Sequence, residues 1–538
     1  MMRATMMDHP TNLQLVFRHG RAVHPDSVVA TFDGGAVTPA RFADIADRAE
    51  RLSVGLAGLG VVPGDRVATF AWNHREHMEA YLAVPCMGAV MHTLNIRLFA
   101  DQVSYIIRHA DDRVLLVDGS LLPLLEKVDL GDIEHVVMIG DGDPAVIGRE
   151  VIAYEDLLAS ADGAPEWPDL DDTSAAAVCY TSGTTGDPKG VVYSHRSSVI
   201  HSMATRAVDT FGICEADRIL LLPPMFHANA WGLPYAAWMS GSDLVMPREF
   251  LSAPVIGRLV GEERITFTAA VPTLLNDLLA MHEESPLEMS SLRVIVSGGS
   301  AVAPALIDRI RDTWGVPVLQ GWGMTETSPM CCLSTPPRDT PTTEQAIWRA
   351  KSGRPVPGME VRVVGDDGAP LPHDGETVGE LQLRGPWVTG AYHDNPAVDS
   401  FTADGWLRTG DVGVIDERFY VRLTDRTKDV IKSGGEWISS VELENVLVAH
   451  ADVHEVSVIA VPDDRWEERP LAVVVRRPGT TVSAEDLRGF LVDKVAKWWI
   501  PERWSFADEL PKTSVGKVDK LALRAERDAG SLDIEEFA

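Results

Sequence analysis

Apolar and polar positions along this chain follow two rhythms. From Thr38 the segment TPARFADIADRAERLSVGLAGLG sets Phe42, Ile45, Ala49, Leu52, Leu56 and Leu59 at steps of three and four. That spacing predicts an amphipathic helix with Thr38 as N-cap, Pro39 in its first turn and Gly60 at its end. Elsewhere short apolar runs recur (RVATFAW, RVLLVD, HVVMIG, SAAAVCY, SDLVMP, ITFTAAVP, LRVIVSG), several alternating with helical stretches such as PVIGRLVGEER and APALIDRIRDTW. Buried strands alternating with helices predict an α/β fold of doubly wound, mostly parallel sheets.

Between about residues 353 and 424 the rhythm changes to short strands separated by glycine and proline turns (MEVRVVGDDGAPL, GELQLRGP, GWLRTGDVGVID). These predict a β-barrel-like subdomain. Past DRTKDVIKSGG, the strands VSVIAVPD and LAVVVRR and a helix opening at Ser483 predict a separate small α+β domain. The expected division is an N-terminal domain over 1–424, a hinge over 425–430 and a C-terminal lid over 431–538. More than one domain also fits the length, because single cores stop growing near ~250 to 300 residues.

Charge and cysteine usage narrow the function classes. The formal net charge of −31 argues against sequence-independent nucleic-acid binding, which needs a basic face. Any anionic ligand must therefore be met by local donors. Cys86, Cys179, Cys214, Cys331 and Cys332 form an odd set without a CxxC pair, which predicts a reducing, cytoplasmic setting. Asp8 and Pro10 interrupt the N-terminus where a signal peptide needs an apolar stretch, and no run approaches the ~18 apolar residues of a membrane span.

The chemistry begins at YTSGTTGDPKGV, Tyr180 to Val191. This loop follows an apolar strand and so leaves a strand's carboxyl end, where open α/β sheets bind ligands. Gly183, Gly186 and Gly190 let backbone N–H groups approach an anion. Thr181, Ser182, Thr184 and Thr185 add hydroxyls, and Lys189 adds a positive charge. A Walker loop has its lysine directly after the last glycine and a hydroxyl next, whereas here Lys189 precedes Gly190 and Val191. The composition also suits an ordinary surface loop. Four hydroxyls framed by glycines after a buried strand favour a phosphate cradle of another type.

TSGTTGDPKG resembles the phosphate loop of the AMP-forming adenylating enzymes, the superfamily of acyl-CoA synthetases, peptide-synthetase adenylation domains and firefly luciferase. Further stretches resemble that family's motifs in its own order. QGWGMTET, Gln320 to Thr327, resembles the adenine and magnesium motif, with SGGSA from Ser297 to Ala301 facing it. LRTGD, ending at Asp411, resembles the ribose motif. DRTKDVIKSGGEWIS from Asp425 resembles the hinge motif, and PKTSVGKVDK places Lys517 where the family has its mobile catalytic lysine.

The resemblance implies an ATP-dependent carboxylic acid:CoA ligase that forms acyl-AMP and pyrophosphate, then acyl-CoA and AMP. It implies a catalytic set of Lys517, Thr181, Glu326 and His227, with Thr181 and Glu326 as hard oxygen ligands for Mg2+. ATP or AMP would meet Thr181, Ser182, Gly183, Thr184, Thr185, Lys189, Gly299, Gln320, Gly321, Trp322, Gly323, Thr325, Asp411, Arg426, Lys428, Lys432 and Trp437. Trp322 stands where the family usually has tyrosine, and its larger ring can stack on a purine. Asp411 offers two acceptor oxygens to the two ribose hydroxyls.

Ser433, Gly434 and Gly435 would face the pantetheine arm of coenzyme A once the lid swings about Asp425. His227, Ala230, Trp231 and Ala301 would line the acyl pocket. His227 lacks a partner at metal-ligand spacing, and Trp231 resembles the gate tryptophan of bacterial long-chain ligases. The expected acid is a medium- or long-chain fatty acid; a short acid such as 3-methylthiopropionate, or a carrier-protein thiol as acceptor, is the alternative. Resemblance to the long-chain branch implies a homodimer. No cysteine nucleophile is required, so Cys331 and Cys332 read as packing residues.

Overall fold

The computed structural model describes residues 4–181, 187–395, 398–426, 429–433, 436–463, 465–512 and 518–537 of the chain. One sheet has seven strands in the spatial order Val151–Ala153, His135–Ile139, Asp112–Asp118, Arg66–Phe70, Val90–Thr93, Ala175–Tyr180 and Gly190–Ser194. Its neighbours are parallel except for the last pair. A second sheet has nine strands: Arg354–Pro355, Met330–Leu333, Val318–Gly323, Val294–Gly298, Phe267–Ala269, Arg218–Leu220, Asp243–Met246, Val28–Phe32 and Val37–Arg41. The strands from Val318–Gly323 to Val28–Phe32 are mutually parallel, and antiparallel strands flank them.

Strands buried on both faces read as continuous apolar runs, which is why the pattern was informative. Trp238, on the helix Leu233–Ser240, is fully buried and stacks on Phe42 at 4.2 Å. The helix predicted from Thr38 begins later. Residues Val37–Arg41 form a strand paired with Val28–Phe32, and the helix runs over Phe42–Gly58 with Arg41 as N-cap. Pairing with an available strand outweighs a favourable N-cap residue, a tertiary effect that local spacing does not carry.

The β-rich segment is an antiparallel meander of Glu360–Val364, Gly379–Arg384, Leu407–Ile415 and Val421–Arg426. Its described ladders run in one linear order, so the barrel-like expectation is corrected to an open sheet. The turns predicted hairpins, but closure depends on strand tilt and stagger, which short-range pattern does not set.

The C-terminal part builds its own core from residues such as Ile431, Leu443, Val458, Val474, Leu487 and Trp504. Its sheet centres on Val453–Asp463 paired with Glu467–Arg476, and the strand Ile534–Glu536 pairs with Arg503–Ala507 at one side. The helix Ala484–Leu491 opens at Ser483, whose hydroxyl accepts from Asp486 N–H in a capping box. All five cysteines are free, and only Cys214 is exposed. Among the described residues no helix is long and apolar enough to cross a membrane.

Candidate active site

Thr181 follows a strand of the seven-stranded sheet, Gly299 and Glu326 follow strands of the nine-stranded sheet, and Asp411 and Arg426 come from the meander. Thr181 and Lys189 close the base of the phosphate loop: Thr181 N–H donates to the Lys189 carbonyl at 2.9 Å, and Lys189 N–H donates to Thr181 Oγ1 at 3.3 Å. Ser182, Gly183, Thr184 and Thr185 lie outside the described residues, as do Lys428, Gly434, Gly435 and Lys517.

Glu326 sits in a short turn, Thr325–Thr327, and is 7% exposed. Its Oε1 accepts from the Tyr392 hydroxyl at 2.7 Å. Burial raises the Glu326 carboxyl above its ordinary range, while the Tyr392 hydrogen bond and the Arg426 charge oppose that shift. The face of the Tyr392 ring carries the Lys189 ammonium, 4.8 Å from its centroid.

The backbone around Tyr392 is fixed from both sides. His393 N–H donates to the Gly190 carbonyl and Thr389 N–H to the Glu326 carbonyl, both at 2.8 Å. Tyr392 therefore joins the phosphate loop to the magnesium-motif carboxylate. The sequence reading missed it, because nothing local marks a contact spanning 66 residues.

Among the described residues no group of three or more His, Cys, Asp or Glu could hold a metal. A single buried carboxylate suits Mg2+, which keeps several waters and is otherwise bound by substrate phosphates. The buried Glu326 carboxylate is of the type that fits that ion.

Trp322 and Asp411 are each 6% exposed. Trp322 Nε1 donates to Asp411 Oδ2 at 2.9 Å, and Arg426 Nε lies 2.8 Å from Asp411 Oδ1. Gly323 is required next to this ring, since a Cβ there would sit 1.7 Å from the Pro329 carbonyl oxygen. Gly321 pairs with Gly298 in the ladder, and Gly299 turns away from the strand end at φ +84°. Thr325 offers its carbonyl to the Tyr193 hydroxyl at 2.7 Å. Gln320 carries a structural load: its Oε1 accepts from Val302 N–H at 2.7 Å and so holds the loop containing Ala301.

The acyl-side segment is anchored from the other sheet. Asn73 donates to the carbonyls of Leu221 and Pro223, both at 2.9 Å, and accepts from Met225 N–H at 2.8 Å. His227 follows, half-buried, and then Ala228, Asn229, Ala230, Trp231 and Gly232 all have positive φ, from 43° to 75°. Left-handed backbone costs a non-glycine residue roughly 1–2 kcal/mol, so this turn stores strain of the kind found at functional sites. Buried partners hold it: Asn229 Oδ1 accepts from Tyr81 Oη at 3.3 Å and from Cys179 Sγ at 3.2 Å.

The turn aims Trp231 at the end of strand Val294–Gly298, with Cη2 3.1 Å from where a Gly298 Cβ would stand. Ala230 was expected to line the pocket, but it is fully buried in the main core. It packs there among core side chains.

On the C-terminal part, the Ser433 hydroxyl accepts from Arg469 Nη1 at 3.1 Å. Lys432 is exposed, its N–H donates to Glu468 Oε2 at 2.8 Å, and Trp437 stands opposite it in the ladder.

Comparison with known proteins places this geometry. The AMP-binding enzyme family matches residues 17–393, and the AMP-binding enzyme C-terminal domain matches residues 442–517. The chain is 42% identical to a 3-methylmercaptopropionyl-CoA ligase of Ruegeria pomeroyi, over 97% of this chain and 98% of the relative. It is 44% identical to a long-chain-fatty-acid–CoA ligase of Thermus thermophilus, over 97% and 96%. The crystal structure of an anthranilate CoA ligase in complex with anthranoyl-AMP superposes with a TM-score of 0.88 at 27% identity, covering 98% of this chain and 100% of that one.

Proposed function

The chain belongs to the AMP-binding enzyme family as an acyl-CoA ligase, and from that premise we propose that it activates a medium- or long-chain fatty acid. The enzyme converts an acid and ATP to acyl-AMP and pyrophosphate, then transfers the acyl group to coenzyme A with release of AMP.

One observation carries our assignment of the site. A continuous set of contacts runs from Lys189 through Tyr392 to Glu326, and four residues before Glu326 the Trp322 indole reaches Asp411, which Arg426 also pairs. That set supports one nucleotide pocket, with phosphates at the loop and ribose at Asp411. Magnesium, when bound, neutralises charge on the phosphates as two anions approach. Glu326 and Thr181 would hold it, Tyr392 would orient the Glu326 carboxylate, and Lys189 would add charge at the loop. Lys517 would stabilise charge developing between the carboxylate and the α-phosphate.

The domain division follows the same reading: a body over 1–424, a hinge over 425–430 and a lid over 431–538. The lid would turn between half-reactions to withdraw Lys517 and bring Ser433, Gly434 and Gly435 to the thiol arm. We further infer a cytoplasmic homodimer, supported by the free cysteines and by resemblance to the long-chain branch. Light scattering on the purified protein tests the dimer.

A shorter acid is the second reading. It is supported by the packing of Trp231, an expected acyl-pocket residue, against Gly298, and by the relative named for 3-methylmercaptopropionate. Pyrophosphate release measured on a panel from short sulfur-containing acids to long-chain fatty acids, with and without coenzyme A, decides between them. Highest kcat/KM on the longer chains supports the first reading, and a maximum on the short acids overturns it. Adenylation without any thioester product would overturn coenzyme A as acceptor. Lys517→Ala should lose adenylation and keep thioester formation from supplied acyl-AMP; equal loss of both would contradict the lid mechanism.

A further inference from the structure

Stacking on a purine needs only the faces of the Trp322 ring, yet its edge is also committed. The indole N–H donates to Asp411 Oδ2, while Arg426 Nε faces Oδ1. A carboxylate oxygen has two acceptor directions. With one filled on each oxygen, one acceptor direction on each remains. A vicinal diol suits them, as in the 2′- and 3′-hydroxyls of ribose.

The two donors differ in what holds them. Trp322 is buried in the nine-stranded sheet. Arg426 lies directly opposite Asp411 in the meander but ends its strand, and its side chain is 46% exposed. The residues after it connect to the C-terminal sheet. We propose that Trp322 is a positioning residue whose indole N–H, rather than Arg426, keeps the Asp411 carboxylate oriented for the ribose diol. A phenylalanine would supply the ring without the donor, and the tyrosine usual in the family carries its donor at the far end of the ring. This inference rests on the reading of the site as a nucleotide pocket.

Calorimetric titration with AMP, 2′-deoxy-AMP, 3′-deoxy-AMP and IMP tests it, because binding is read without knowing the acid. Wild type should bind either deoxynucleotide roughly tenfold or more weakly than AMP, the effect of losing a hydrogen bond to a charged group. Trp322→Phe and Trp322→Tyr should bind AMP about tenfold more weakly and reduce the deoxy penalty to about threefold or less, as Asp411→Asn should. Their IMP-to-AMP ratio should stay at the wild-type value. Arg426→Met should retain the deoxy penalty within about threefold of wild type.

Urea-unfolding midpoints establish which variants are folded, and either Trp322 variant suffices. The inference is overturned if Trp322→Phe or Trp322→Tyr weakens AMP and both deoxynucleotides equally, which would leave Trp322 a platform only. It is also overturned if Arg426→Met abolishes the penalty. Wild type that binds AMP without distinguishing the deoxynucleotides sinks this inference alone; wild type that binds none of them sinks the nucleotide site itself.

Discussion

Tyr392→Phe deletes one oxygen, the donor to Glu326 Oε1, and keeps the ring beneath Lys189. The adenylation kcat/KM for ATP should fall roughly tenfold, as for loss of one charge-assisted hydrogen bond. Thioester formation from supplied acyl-AMP should stay within about twofold. Tyr392→Leu also removes the cation–π contact and should cost more; pyrophosphate release and single-turnover thioesterification measure the two steps.

His74 gives a prediction for pH. Burial disfavours its charged ring, but Asp118 and Glu76 overcome this and hold it up to about 9. A folded value above the unfolded ~6.5 means that the stabilisation is complete below pH ~6.5 and lost as pH rises through 9; it is worth about 3 kcal/mol. Urea-unfolding midpoints should therefore fall between pH 6 and 10, and His74→Asn should flatten that slope.

Glu326, Asp411 and Trp322 were legible in the sequence as candidates through the motifs they sit in, and all three are buried, with Trp322 bonded to Asp411. Tyr392 and Asn73 were not legible, because their partners lie far along the chain and are set by the fold. Gln320 and Ala230 stood in the right stretches, but a hydrogen bond and a backbone turn gave them supporting work.

Among the elements, the left-handed turn from Ala228 to Gly232 makes the sharpest demand on sequence. Gly232 has φ +75°, and a Cβ there would lie 2.6 Å from His201 Nδ1. His201 cannot easily yield, since it is buried and its Nε2 accepts from Met330 N–H at 3.2 Å. Gly232→Ala should cost about 2 kcal/mol or more, read as a shift in the urea-unfolding midpoint. It should also raise the KM for the acid by displacing Trp231. The strands were readable because apolar runs buried on both faces leave little ambiguity. The turn was not, since among its four consecutive non-glycine residues with positive φ only Asn229 is of a type that favours the left-handed region. Thr38 was misread for the opposite reason: its local signal was good and a neighbouring strand overrode it.

At the scale of the whole molecule, the order of apolar runs, turns and motifs conveyed a large α/β part followed by a small α+β part. It could not convey how the two are tied. Lys520 Nζ lies 2.8 Å from Glu444 and donates to the Ser440 hydroxyl, while Ser440 N–H donates to Asp425 Oδ2 at 2.8 Å. Burial disfavours the Lys520 charge, and Glu444 and Asp425 more than restore it. Lys520→Met would leave the buried Asp425 and the half-buried Glu444 carboxylates without their cation and should destabilise the C-terminal part by about 3 kcal/mol. Faster limited proteolysis near residues 425–430, with loss of both half-reactions, is the expected outcome.

Asp411 and Arg426 face each other across one pair of the meander, and Asp425, the expected pivot, is the very next residue. Under the proposed lid rotation, the proposed ribose carboxylate and the axle of the lid thus occupy adjacent rungs of one ladder. Thermodynamic linkage then makes them reciprocal: whatever factor AMP applies to the balance of lid orientations, a restraint on the lid must apply to AMP affinity. A cross-link that holds the lid in one orientation should therefore tune product release as an effector would, without touching the nucleotide.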